Sequence, residues 1–281
     1  LMTEEELLGQ LFFLGYPEKN LSDYMQKWIS ERNLGGVKIF TRNVENLEQL
    51  ATDIDKMESL AQNNPKKIPL LIATDQEGGW VRQIKHNMSE SPGNLGIGAS
   101  NLPLDAYYTG FFIGQELAAL GINMNFAPTI DVYSHPDAAV IGPRSFSSDP
   151  IKTGLLALAY FHGLKTSGII ATAKHYPGHG GADGDSHGFL PIDESNLETI
   201  WNRHLVPYRF LIRDGLMAIM TGHVAFPAIT GMKKQSSLVP FFQRKLLRER
   251  LGFNGVVVTD DLEMAGALYG IDSPAIATIK A

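Results

Sequence analysis

The sequence predicts an α/β fold of the TIM-type (β/α)8 barrel class, and three observations carry that prediction. Short apolar segments alternate with longer amphipathic ones, which is the pattern of βαβ units and a parallel sheet. Many of the short segments run directly into polar stretches bearing glycine or proline. The length of 281 residues suits one barrel, which takes about 250.

The strand segments are residues 11–15, 36–40, 70–74, 123–130, 169–173, 217–221 and 256–259, each a short run dominated by apolar residues. Between them, helical periodicity covers residues 44–60, 103–120, 151–166, 198–213 and 240–251. Seven strand segments favour a barrel over an open sheet, and an eighth is expected beyond residue 281. The chain is therefore read as one barrel domain over residues 1–281, truncated at its C-terminus. The opening Leu1-Met2-Thr3-Glu4 is not a signal peptide, and a first residue other than Met implies a trimmed start.

Composition narrows the function classes. Hydrophobic residues make up 44% and charged residues 19%, enough for a packed core. The net charge of −6 and the lack of long basic tracts argue against nucleic acid or an anionic membrane as partner. No apolar run approaches the length of about 18 residues needed for a membrane span. With no cysteine, disulfides, thiolate metal sites and cysteine nucleophiles are excluded. A neutral or mildly charged small-molecule substrate fits this balance, and the chain is expected to be a monomer.

In parallel α/β folds, ligands gather at the carboxyl ends of strands. Four segments stand there. The densest is 174–187, Lys-His-Tyr-Pro-Gly-His-Gly-Gly-Ala-Asp-Gly-Asp-Ser-His, which its glycines and proline make a loop. Asp185 and His187 are two apart, so in an extended stretch both side chains point the same way. A carboxylate beside an imidazole orients the ring and suits general acid/base work. An ordinary polar loop, or a metal site, is the alternative for these histidines. The second segment, 255–264, delivers Asp260 and Asp261 at the end of a buried strand. A carboxylate so placed can attack an electrophilic carbon directly, or simply cap the next helix; capping is favoured for Asp261. The third sets Asp75 at a strand end before Gly78-Gly79, where it can accept hydrogen bonds from ligand hydroxyls or close a turn. The fourth, 141–146, places Arg144 in a loop.

Taken together, 4–15, 35–41, Asp75–Gly79, Asn125-Phe126-Ala127-Pro128, 142–146, 174–187, 220–223 and 259–264 resemble the β-N-acetylglucosaminidase branch of glycoside hydrolase family 3, in that family's order and over essentially the whole chain. The Lys-His-x-Pro-Gly-His-Gly stretch ending in Asp-Ser-His is particularly characteristic of that branch. The resemblance implies a retaining hydrolase that releases terminal β-linked N-acetylglucosamine through a covalent glycosyl-aspartate. Asp260 matches the nucleophile, His187 the acid/base and Asp185 its dyad partner. Asp75, Arg144, Lys174 and His175 match positions that hold the sugar. No metal and no organic cofactor are implied. An imidazole repels an anionic acceptor less than a carboxylate would, which leaves phosphate open as acceptor. Relatives of this type work on cell-wall fragments in the bacterial cytoplasm or outside it. One position departs from the family: eight residues after Asp75 stands Gln83, preceded by Arg82, where the family has arginine, so no role passes to either. A β-glucosidase or β-xylosidase on the same barrel, a non-catalytic carbohydrate-binding barrel, and a metal-dependent hydrolase are the competing readings.

Overall fold

The computed structural model describes residues 2–64 and 66–280. Seven strands form one parallel sheet in sequential order: β1 (Phe13–Leu14), β2 (Gly36–Ile39), β3 (Leu71–Thr74), β4 (Met124–Asn125), β5 (Ile170–Tyr176), β6 (Ala218–Thr221) and β7 (Val256–Thr259). The crossovers between them carry α1 (Asp23–Arg32), α2 (Leu47–Asn63), α3 (Pro103–Ala119), α4 (Pro150–Thr166), α5 (Leu205–Arg213) and the π-helical α6 (Phe241–Arg250). Local chemistry starts several of these helices. Ser22, Asn46 and Asp149 each accept from a backbone N–H in the first turn of α1, α2 and α4, and Pro103 and Pro150 stand in first turns, where no N–H is needed.

Strand parity shows how the sheet curls. Phe13, Leu71, Ala73, Met124, Ile170, Ala218, Met220 and Val258 meet in one small cluster although they come from six strands. A flat sheet would keep β1 and β7 far apart, so this cluster is the interior of a barrel. The alternate residues, among them Val37, Ile39, Ile72, Ala171, Ala173 and Ile219, belong to the larger core with α2, α3 and α4. Among the described residues the sheet has seven strands, and β1 and β7 are its edges. No described helix is long and apolar enough to cross a membrane.

Three elements differ from the sequence expectation. Of the strand at 123–130, only Met124–Asn125 is paired as a strand; past Ala127-Pro128, whose proline has no N–H to donate, the chain stays beside β5 through a single bridge between Thr129 and Lys174. Strand β5 instead runs on to Tyr176, three residues past its predicted end, so Lys174 and His175 belong to the barrel rather than to a loop. The helix at 198–213 is broken at Arg203–His204 into Leu197–Asn202 and α5. A continuous helix would need an N–H from Pro207; restarting at Leu205 puts that proline in a first turn. Helix α1, with few apolar positions, is an addition to the predicted elements.

Candidate active site

The interior parity that places Ala73 and Met124 inward also places Lys38 and Lys174 inward, near the carboxyl end of the barrel. There they meet carboxylates that follow β3. Lys174 Nζ lies 2.6 Å from Asp75 Oδ1 and 2.6 Å from Glu77 Oε1, and Lys38 Nζ lies 2.8 Å from Asp75 Oδ2. Glu77 is carried by a hairpin of Gln76–Gly78 and Val81–Arg82. Its carboxylate takes a fork from Arg144, with Nε at 3.0 Å and Nη2 at 2.8 Å. That bidentate pairing fixes the guanidinium plane. Arg144 Nη2 is also 3.2 Å from His175 Nε2, and the other ring nitrogen of His175 is 2.7 Å from Asp131 Oδ2. Asp131 further accepts from the backbone N–H groups of His175 and His179.

Burial alone would push these carboxyls up toward neutrality. Their neighbours outweigh it: Arg144 and Lys174 hold Glu77 down at about 2, and the His175 ring and the His179 N–H hold Asp131 at about 2. Lys174 and Lys38 hold Asp75 well below the ordinary carboxylate range. Burial likewise disfavours the Lys174 ammonium, and Asp75 and Glu77 reverse this and keep it charged. The result is a fixed set of ionic acceptors and donors at the barrel mouth. Such a set presents charged donors and acceptors in fixed positions, so that meeting a polar ligand requires little reorganisation.

Asp260 stands immediately after β7, its backbone N–H bonded to the Thr221 carbonyl of β6 at 2.9 Å. Its side chain is 17% exposed, with Oδ2 3.9 Å from His175 Nε2. Burial raises its pKa, but His175, His223, Lys38 and the Asp261 N–H together lower it below the usual value. The nucleophile candidate is therefore an anion with its charge balanced on one side and some access on the other. His223 is buried beside it, with Nδ1 2.9 Å from Ser237 Oγ and Nε2 without a protein partner.

Asp185 and His187 are placed differently. They pair with each other, His187 Nδ1 to Asp185 Oδ1 at 2.6 Å, and the same oxygen accepts from the His187 N–H at 2.9 Å. Partial burial raises the Asp185 pKa, and these two bonds outweigh it and hold the carboxyl low. Yet His187 and Asp185 are 69% and 47% exposed, and His187 forms no ion pair with Asp260. The residue between them is the anchor: buried Ser186 lies 3.2 Å from His179 Nε2 through its hydroxyl, and its carbonyl accepts from the Gly266 N–H at 2.9 Å.

The structure thus brings Asp75, Arg144, Lys174, His175 and Asp260 into one cluster and keeps Asp185 and His187 together on a separate, exposed loop. Glu77, Asp131, Lys38, His179 and His223 join them without having been singled out from the sequence. Asp131 had the same signal as Asp75, a carboxylate just past a strand segment; nothing local marked Glu77 or Lys38. Gln83 accepts from the Thr41 N–H at 2.9 Å and Arg82 pairs with Glu90, so neither joins the cluster. Among the described residues no three histidine or carboxylate side chains converge as a metal-binding group. Two cavities open on this part of the molecule. A larger one of about 320 Å³ lies between 89–100 and α3 and touches no residue of the cluster. A smaller one of about 180 Å³ is walled by Glu77 and Arg144 themselves.

Fold and site together define a parallel (β/α) barrel with an ionic, carboxylate-rich mouth. The chain belongs to glycosyl hydrolase family 3: residues 3–277 match the family's N-terminal domain. Beta-hexosaminidase A of Pseudoalteromonas piscicida is 37% identical across 99% of this chain, and the beta-hexosaminidase of Thiobacillus denitrificans is 36% identical across 89%. The chain spans 52% and 69% of those two relatives respectively. Among solved structures, a family 3 beta-N-acetylglucosaminidase from a Paenibacillus species superposes with a TM-score of 0.94 at 37% identity, covering 100% of this chain and 53% of that one. NagZ from Neisseria gonorrhoeae, in complex with N-trifluoroacetyl-D-glucosamine, gives 0.85 at 30% identity, covering 96% and 78%.

Proposed function

We propose that this barrel carries the active site of a retaining β-N-acetylhexosaminidase, which releases terminal β-linked N-acetylglucosamine by way of a covalent glycosyl-aspartate. The observation that carries the reading is the placement of Asp260: a partly accessible carboxylate, kept anionic by its surroundings, on the rim of the ionic cluster. A carboxylate needs no prior deprotonation to attack an anomeric carbon. Asp75, Lys174, Arg144 and His175 bind and orient the sugar hydroxyls. Asp260 attacks as the glycosidic bond breaks, and His187, steadied by Asp185, gives its proton to the departing oxygen. The same imidazole then takes a proton from water, which attacks the glycosyl-aspartate and leaves the configuration retained. For this the exposed loop must bring His187 in over the sugar, a closure of the kind that completes many active sites only when substrate is bound. The hexosaminidase and N-acetylglucosaminidase names of the relatives above support an N-acetylated sugar over glucose or xylose.

The test uses aryl β-glycosides with and without the 2-acetamido group. Turnover is expected on the acetamido substrate and to fall by about a thousandfold or more in Asp260→Asn, with unfolding unchanged. Preference for the glucoside would redirect the specificity, and near-normal activity of Asp260→Asn would remove Asp260 as nucleophile.

A further inference from the structure

Asp75 is gripped by two lysines, one on each oxygen. Lys174 Nζ reaches Oδ1 at 2.6 Å but is shared with Glu77 Oε1 at the same distance. Lys38 Nζ reaches Oδ2 at 2.8 Å and, among the described residues, pairs with no other carboxylate. A carboxylate held through one oxygen can still swing about its Cβ–Cγ bond, whose torsion is broad. A second cation on the other oxygen fixes the plane. Each oxygen keeps a further lone pair, so a locked Asp75 offers two acceptors in set directions.

Lys38 is itself firmly seated. It stands on β2 opposite Ala73 of β3, a residue of the barrel interior, and its side chain is 18% exposed. Its ammonium lies 4.4 Å from the ring centroid of Phe40 and 5.6 Å from that of Phe126. Both are within reach of a cation–π contact. Phe40 is braced in turn: Arg42 Cζ lies 4.0 Å from the same centroid, and Arg42 Nε donates to the Tyr16 carbonyl at 2.9 Å. One carboxylate oxygen and two rings give the ammonium a partner for each of its three N–H groups. Such a group orients its neighbour and has little left with which to bind a ligand.

Resting on the glycosidase reading, in which Asp75 holds sugar hydroxyls, we propose that Lys38 is a positioning residue that locks the plane of Asp75, with Phe40 and Phe126 holding it in place. Lys38 then acts on sugar binding through Asp75 and touches neither the sugar nor the bond that breaks.

The test is a double-mutant cycle on 4-nitrophenyl β-N-acetylglucosaminide, using Lys38→Met, Asp75→Asn and the two together. Lys38→Met is expected to raise KM about tenfold while kcat stays within about threefold. In the Asp75→Asn background the same substitution is expected to change KM by no more than about twofold. The Kd of N-acetylglucosamine replaces KM wherever turnover is too slow to follow. Equal effects of Lys38→Met in the two backgrounds, or none in either, would overturn the role. Phe40→Leu keeps the ion pair and removes the aromatic ring beside it, and is expected to raise KM about threefold. It carries the test if Lys38→Met does not fold, and an unchanged KM in Phe40→Leu would then overturn the role. A parent protein that does not turn over the substrate would sink the glycosidase reading itself, and this role with it.

Discussion

The two halves of the site are built on opposite principles. Around β3, β4 and β5, Asp75, Glu77, Asp131, Lys174, Arg144 and His175 are locked into one buried network, with hydrogen bonds of 2.6–3.2 Å. The Asp185–His187 pair is just as tight internally, at 2.6 Å, but rides on a loop that leaves both side chains largely in solvent. Under the proposed mechanism the difference is a division of labour. Groups that recognise the ligand gain from being fixed before it arrives, since nothing then reorganises during reaction. A group that donates a proton and later accepts one must meet first the leaving oxygen and then a water, which favours a carrier that moves. The internal Asp185–His187 bond keeps the imidazole oriented wherever the loop goes.

The comparison breaks most severely at Lys174. Lys174→Met leaves Asp75 and Glu77 short of a buried cation, and losing one partner of such a network costs about 3–5 kcal/mol. Urea unfolding should register that loss, with turnover nearly gone; a variant as stable as the parent would mean that the network is not a structural unit.

Acid should weaken the same half next. Burial, assisted by His175, holds His179 at about 4, below its ordinary 6.5. The unfolded chain takes up this proton near pH 6.5 and the folded one only near pH 4, so stability falls as pH drops through that window. The loss amounts to roughly 3 kcal/mol, joined below about pH 4 by protonation of Glu77 and Asp131. Unfolding midpoints at pH 7 and 4.5 should converge less in the parent than in His179→Gln, that is, the variant should lose less on acidification. Parallel losses in the two proteins would contradict the assignment.

The loop half should respond in rate and not in stability. His187→Ala is expected to change unfolding by no more than about 0.5 kcal/mol, because the side chain is exposed. It should slow glycosides with poor leaving groups by about a hundredfold or more while barely affecting activated aryl substrates. Equal losses on both would argue against His187 as the acid.

The same contrast explains what was legible in the sequence. Features that announce themselves locally were legible: strand-end Asp75 and Asp260, which lie in the cluster, and six of seven strands to within a few residues, while the Asp-x-His pair of 185 and 187 lies on the exposed loop outside it. What stayed hidden is held by long-range pairing. Glu77 is explained by Arg144, 67 positions away, together with Lys174, and Asp131 by His175, 44 positions away, together with the His179 N–H. Lys38 reads as one polar residue in an apolar strand until its inward parity sets it against Asp75. Pro128 and Pro207 were the available signals for the short β4 and for the broken helix, and apolar periodicity overrode both.

The most direct test of the whole account is chemical trapping of the glycosyl-enzyme. A slow-turnover fluorinated N-acetylglucosaminide, incubated with the intact protein and followed by proteolysis and mass spectrometry, should leave its mass on the peptide containing Asp260. A label on any other residue, with Asp260 unmodified, would contradict the assignment of the nucleophile on which the rest of the mechanism depends.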